Sequence, residues 1–74
     1  MDRLAAVFRD VFDMPALEIG GLTRSNFAEW DSLAQVKLVI GIEEEFDVKF
    51  TIDQVANISS AEEFRKLLAE KAVA

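Results

Sequence analysis

A chain of 74 residues that contains neither cysteine nor histidine has to hold itself together by side-chain packing alone. Disulfides and thiolate metal sites are excluded, and without imidazole the usual zinc ligand sets are missing too. A chain this short buries only about 60% of its unfolded surface, which allows one small domain with an economical core and no walls for a deep cleft. The same two absences bear on chemistry, because a Ser–His or Cys–His nucleophilic pair cannot be assembled from this chain. Apolar residues make up 51% of the chain and only three Gly and one Pro interrupt it. This composition favours a compact helical domain over a disordered chain or a turn-rich β fold.

The charge balance, 14 acidic residues against 8 basic, gives a net charge of −6. Such a surface repels nucleic acid and anionic membrane and suits partners with basic patches. The start Met1-Asp2-Arg3-Leu4 has no basic n-region leading into an apolar stretch, and no apolar run approaches the roughly 20 residues of a membrane span. The expectation is a soluble cytoplasmic protein. The closing Ala69 to Ala74 stretch is expected to fray.

Leu4, Val7, Phe8, Val11 and Phe12 follow the spacing of an amphipathic helix, with Arg3, Arg9 and Asp10 on its other face. Pro15 disfavours helical dihedrals before it and should stop this helix near Met14. From Pro15 to Asp31 no period is sustained, and Gly20-Gly21 with Ser25-Asn26 carries turn chemistry. This loop exceeds the usual limit of about 12–15 residues, which points to a functional loop or to an element missed. Its Leu17, Ile19, Leu22, Phe27 and Trp30 suggest that it packs onto the helices. A second helix is predicted from Ser32 to about Asp47, capped by Asp31 or Ser32, with Ser32-x-x-Gln35 fitting a capping box. Thr51 can cap a short turn through Ile52, Val55 and Ala56. Ser60-Ala61-Glu62-Glu63 is another capping box and opens a last helix over roughly Ala61 to Lys71, while Val48-Lys49-Phe50 reads as loop. The predicted architecture is all-α, three helices plus one short one around a common core.

The second helix carries two apolar stripes. Leu38, Val39, Ile42 and Phe46 suffice for a core face, whereas Leu33, Val36 and Ile40 lie about 130° round the helix at about 100° per residue, beside Lys37 and Glu44. The second stripe is either a partner surface with an apolar centre and charged rim or the bed on which the long loop lies. Glu43, Glu44, Glu45 and Asp47 concentrate charge where the helix dipole disfavours it. They are either a solvated face or a recognition surface, and they lack the alternating oxygen ligands of a calcium loop, so no metal is expected. Ser32 likewise has two readings. It is either an N-cap or a hydroxyl that receives a phosphate-bearing group, for which a helix N-terminus is a favourable place.

Taken together, Asp31-Ser32-Leu33, Val36, Leu38-Val39 and the run Ile42-Glu43-Glu44-Glu45-Phe46-Asp47-Val48-Lys49-Phe50 resemble the acyl carrier protein family. The resemblance covers nearly the whole chain and implies that residues 1–74 form a single acyl-carrier-like domain, a small four-helix bundle with a long loop between its first two helices. It implies that Ser32 receives 4′-phosphopantetheine from coenzyme A through a separate magnesium-dependent phosphopantetheinyl transferase, with Asp31 recognised by that enzyme. The chain would then be a monomeric carrier, with no catalytic residue of its own, holding an acyl group as a thioester for partner enzymes. Leu33, Val36 and Ile40 match the family's docking surface, with Lys37 beside them, and Glu44 and Glu45, with Glu43 nearby, would meet basic partner residues. Ala34, Gln35 and Lys37 stand where fatty-acid-synthase carriers tend to be acidic, Trp30 stands where they have a small residue, and the Gly20-Gly21 loop departs from their pattern. These departures look more like a discrete carrier of a specialised polyketide, nonribosomal peptide or lipid pathway. An aminoacyl or peptidyl carrier is the alternative, and a cofactor-free helical interaction module a further one.

Overall fold

The computed structural model describes residues 2–71. Its helices are α1 (Arg3–Phe12), α2 (Ser32–Phe46), α3 (Ile52–Asn57) and α4 (Ala61–Glu70). The fold is the all-α arrangement expected, three longer helices and a short third one.

Local chemistry sets each helix boundary. Asp2 caps α1 by accepting the Ala5 N–H at 3.2 Å. The helix stops at Phe12, short of the expected Met14, because Asp13 turns into the left-handed region at φ 53° and Met14 N–H returns to the Arg9 carbonyl. Pro15 therefore follows a helix that has already ended. Asp47 closes α2 in the same conformation, φ 55°. α3 has a complete capping box between Thr51 and Gln54. At α4, Ser60 Oγ accepts the Glu63 N–H at 3.1 Å, and the Glu63 carboxylate reaches Ser59 N–H and both serine hydroxyls instead of the cap's own amide. Regular helix continues through Ala69 and Glu70, where fraying was expected, and the rest of that expectation, residues 72–74, lies outside the described residues.

The long loop behaves as its apolar content suggests. Ile19, Leu22 and Trp30 are buried, and Leu17 and Phe27 are partly so. Arg9 Nε holds the loop's first turn through the Leu17 carbonyl at 2.8 Å. Farther on, Asn26 braces a turn by accepting from Thr23 N–H and donating to the Gly21 carbonyl, both at 3.0 Å, and Gly21 takes φ +76° there. The loop then pairs with the segment before α4: Arg24 N–H donates to Ser59 O at 2.9 Å and Ala61 N–H to Leu22 O at 3.0 Å, which makes an antiparallel bridge between Thr23 and Ser60. No strand grows from it among the described residues.

The core gathers Leu4, Phe8, Leu38, Ile42, Phe64 and Leu68, all fully buried, from α1, α2 and α4. Phe8 stands edge-on to Trp30 at 5.3 Å between ring centroids and to Phe64 at 6.0 Å, while Trp30 stacks over Phe64 with planes 14° apart. Such offset and edge-on pairs add to what area burial alone contributes. α1 approaches α2 closely at Gly41, where a Cβ would lie 3.0 Å from Val7 Cγ1. A side chain there would require Val7 to shift.

Candidate functional site

The loop enters α2 through two tight turns, Trp30 N–H to Phe27 O and Asp31 N–H to Glu29 O, which leave Asp31 extended. Its Oδ1 accepts the Ala34 N–H at 2.9 Å, and its carbonyl accepts Gln35 N–H at 2.9 Å. Asp31 is thus the cap, and Ser32 is the first residue inside the helix. The capping box expected between Ser32 and Gln35 does not form, because the Asp31 carboxylate fills that place one residue earlier and Gln35 turns inward. Among the described residues no hydrogen bond engages Ser32 Oγ, which is exposed. The Ser32 and Leu33 N–H groups, which have no carbonyl a turn behind them, remain available at the positive end of the helix. An exposed hydroxyl beside free amides is a setting that fits an esterified phosphate.

Below Ser32 the second apolar stripe is exposed. Leu33, Val36 and Ile40 retain 64%, 53% and 52% of their surface in solvent, so the long loop does not cover them. Lys37 and Glu44 are exposed on the same side of the helix. The other side has a different composition: Ala34, Leu38 and Ile42 are buried, joined by Gln35, while Val39 and Phe46 are partly buried.

The acidic run divides three ways. Glu43 turns its Oε2 to the Phe50 N–H at 2.9 Å and thereby secures the approach to α3. Glu45 pairs with Arg3 Nε at 2.9 Å, on the side of α2 that faces α1, and the same guanidinium lies over the Phe46 ring at 4.6 Å. That exposed pair contributes little stability. Glu44 stays with the stripe, so the structure brings Ser32, Leu33, Val36, Lys37, Ile40 and Glu44 onto one face and carries Glu45 away from them. No group of carboxylates among the described residues could hold a metal ion.

Sequence reading missed one exposed residue. Ile52, the first residue of α3, is 87% exposed, which no expectation for that turn included. A helix of six residues is too short for periodicity to separate its faces, and the only local signal was the position directly after a capping threonine.

The all-helical fold thus presents an exposed serine hydroxyl, without a hydrogen-bond partner among the described residues, at the start of α2. A family model described as the phosphopantetheine attachment site matches residues 2–68, and the chain belongs to that family of carrier proteins. Its members are non-catalytic, carry covalent 4′-phosphopantetheine, and work with phosphopantetheinyl transferases and acyl-handling enzymes. No curated protein and no solved structure matches the chain significantly. Among the described residues no helix is long and apolar enough to cross a membrane.

Proposed function

We propose that Ser32 is the attachment residue, that Asp31 is read by the transferase, and that Leu33, Val36, Ile40, Lys37 and Glu44 dock partner enzymes, while Glu45 meets basic partner residues from the side of α2 nearer α1. The whole chain acts as one carrier domain, a cytoplasmic monomer in a specialised polyketide, nonribosomal peptide or lipid pathway. The observation that carries this reading is the Ser32 hydroxyl, exposed and unbonded at an N-terminus whose cap is supplied by its neighbour.

Each residue has a distinct task. Ser32 supplies the oxygen to be esterified, and the free amides of the first turn would favour the negative charge of a phosphate attached there. Asp31 caps the first turn through its bond to Ala34 N–H and so holds the backbone that carries Ser32 in the helix. When bound, the prosthetic group supplies a thiol at the end of a flexible arm, where an acyl group is held as a thioester. The stripe below buries against the partner, and Glu44 and the net negative charge speed encounter with basic surfaces in a salt-sensitive way.

The capping geometry weakens the cofactor-free reading. If Ser32 were retained only as a cap, Asp31 would have no need to occupy that place. Incubation of the apo chain with coenzyme A and a broad-specificity transferase tests the proposal by intact-mass spectrometry. The expected result is the mass of one phosphopantetheinyl group on the native chain and none on Ser32→Ala. Addition to Ser32→Ala would reject Ser32 as the site. An adenylating ligase that charges the holo protein with an amino acid, in place of an acyltransferase, would identify the cargo as aminoacyl.

A further inference from the structure

Gln35 is the one buried polar side chain among the described residues, 6% exposed, and it sits one turn after Ser32. Its Oε1 accepts the Trp30 indole N–H at 2.7 Å. Its Nε2 donates to the Val55 carbonyl at 3.1 Å and reaches the Ile58 carbonyl at 3.4 Å. A continuous polar link therefore runs from the loop residue two places before Ser32, through α2, to the end of α3. Trp30 itself is 2% exposed and wedged against Phe8 and Phe64.

We propose that Trp30 and Gln35 form a seal that keeps cargo carried on Ser32 out of the helical core, so that this carrier takes short or polar acyl groups held outside the bundle. The inference rests on the carrier reading of Ser32. Gln35 bonds toward α3 and Trp30 fills the loop side of the core. Between α2 and α3, an alkyl chain has to part Gln35 from the Val55 and Ile58 carbonyls and leave amide and carbonyl groups facing hydrocarbon. On the loop side it has to expel an indole that packs against two phenyl rings and is hydrogen-bonded as well. No buried side-chain nitrogen or oxygen among the described residues lacks a partner, so the network is complete as it stands. A complete network rigidifies, and a half-broken one costs more than an apolar core would. Burial of a short aliphatic chain offers little to set against that loss, whereas polar cargo has no reason to enter.

The sequence signal for the seal is small. A glutamine on the core side of a helix and a tryptophan five residues earlier each have ordinary explanations, and only the α3 carbonyls join them.

The test loads the apo chain from acetyl- and octanoyl-coenzyme A with a broad-specificity transferase, confirms each product by mass, and records carbon-13-filtered NOEs from the labelled acyl chain together with Tm. The expected octanoyl form shows no NOE to Leu38, Ile42, Ile58 or Phe64 and melts within about 1 °C of the acetyl form, since a ligand that binds no core surface does not stabilise the fold. Octanoyl NOEs to those residues, or a Tm raised by about 4 °C or more, overturn the seal. Gln35→Leu keeps the volume apolar and removes the link; it is expected to admit octanoyl and show those NOEs, and continued exclusion would overturn Gln35's part in the seal. A chain that gains no mass from either donor overturns the carrier reading and this proposal with it. A chain that gains mass and then shows core NOEs overturns the proposal alone.

Discussion

α1 and α3 are both joined to α2, but by different chemistry: α1 packs against it, and α3 is hydrogen-bonded to it. α1 contributes Leu4, Ala5, Val7 and Phe8 to the buried core and comes close enough that a Cβ on Gly41 would lie 3.0 Å from Val7 Cγ1. α3 buries none of its own residues fully. It is tied at one end by Glu43 on the Phe50 amide and at the other by Gln35 on the Val55 and Ile58 carbonyls. Apolar burial on the scale of α1 supplies most of a small domain's stability, whereas each hydrogen bond contributes about 1 kcal/mol net. The α1 side is therefore the permanent scaffold, and α3 is a clipped-on element whose seating depends on a few polar contacts beside the candidate attachment serine.

The most severe way to break this contrast is Phe8→Ala. Phe8 is fully buried and touches Phe12, Trp30 and Phe64. The substitution is expected to cost about 3–5 kcal/mol and to unfold the chain as a unit in urea. Loss confined to α1, with α2 and α4 still folded, would contradict the scaffold assignment.

Gln35→Ala should act more locally. It removes the bonds to Trp30 and α3 and leaves their partners buried without it, at about 1–3 kcal/mol. Amide hydrogen exchange is expected to speed up across Ile52–Asn57 while α1 and the middle of α2 keep their protection. Equal acceleration in all four helices would mean that α3 is part of the cooperative core. The long loop should be less mobile than its length suggests, since Leu22 and Arg24 are fastened to the start of α4.

Asp31 separates stability from recognition. Asp31→Ala removes the α2 cap at about 1 kcal/mol, and Asp31→Asn, which can still accept from Ala34 N–H, should melt near the native Tm. If Asp31 is read by the transferase through its charge, both variants lose modification rate, whereas a purely structural role predicts loss only in the alanine variant.

The smallest effect concerns acid. The Arg65 guanidinium bonded to Asp2 holds that carboxyl below its ordinary value, and the Ser59 backbone N–H does the same for Glu63. A carboxylate depressed in the folded state contributes stability above its unfolded pKa and loses it as pH falls through the folded value. Asp2 is exposed and Glu63 only partly buried, so the contribution is small and salt-screened. Asp2→Asn and Glu63→Gln should each flatten the acid limb of Tm against pH, and unchanged curvature in both would show that neither carries linkage.

Much of this was readable in advance for identifiable reasons. α1 and α4 bury one periodic face each, and the caps of α3 and α4 rest on side chains three residues apart, so local sequence suffices. The exposed stripe on α2 was visible as a second stripe, but not its exposure, since whether the loop lay over Val36 and Ile40 depended on where Ile19, Leu22 and Trp30 found their own burial. The choice between Asp31 and Ser32 as cap turned on one residue of register. Gln35 was read as half of a capping box because a helix start offers that use, while its real partners lie on α3 and on the loop, beyond any local pattern. Glu43 on Phe50 and the Thr23–Ser60 bridge escaped for the same reason.

The central claim is that the Ser32 hydroxyl serves attachment and carries no part of the fold. The most direct measurement pairs Tm with intact mass for the native chain and Ser32→Ala after exposure to coenzyme A and transferase. A Tm within about 1 °C between the two, with the added mass on the native chain alone, is the predicted result, since an exposed non-cap serine contributes little to stability. Equal absence of added mass on both chains, or a Ser32→Ala chain that fails to fold, would contradict it.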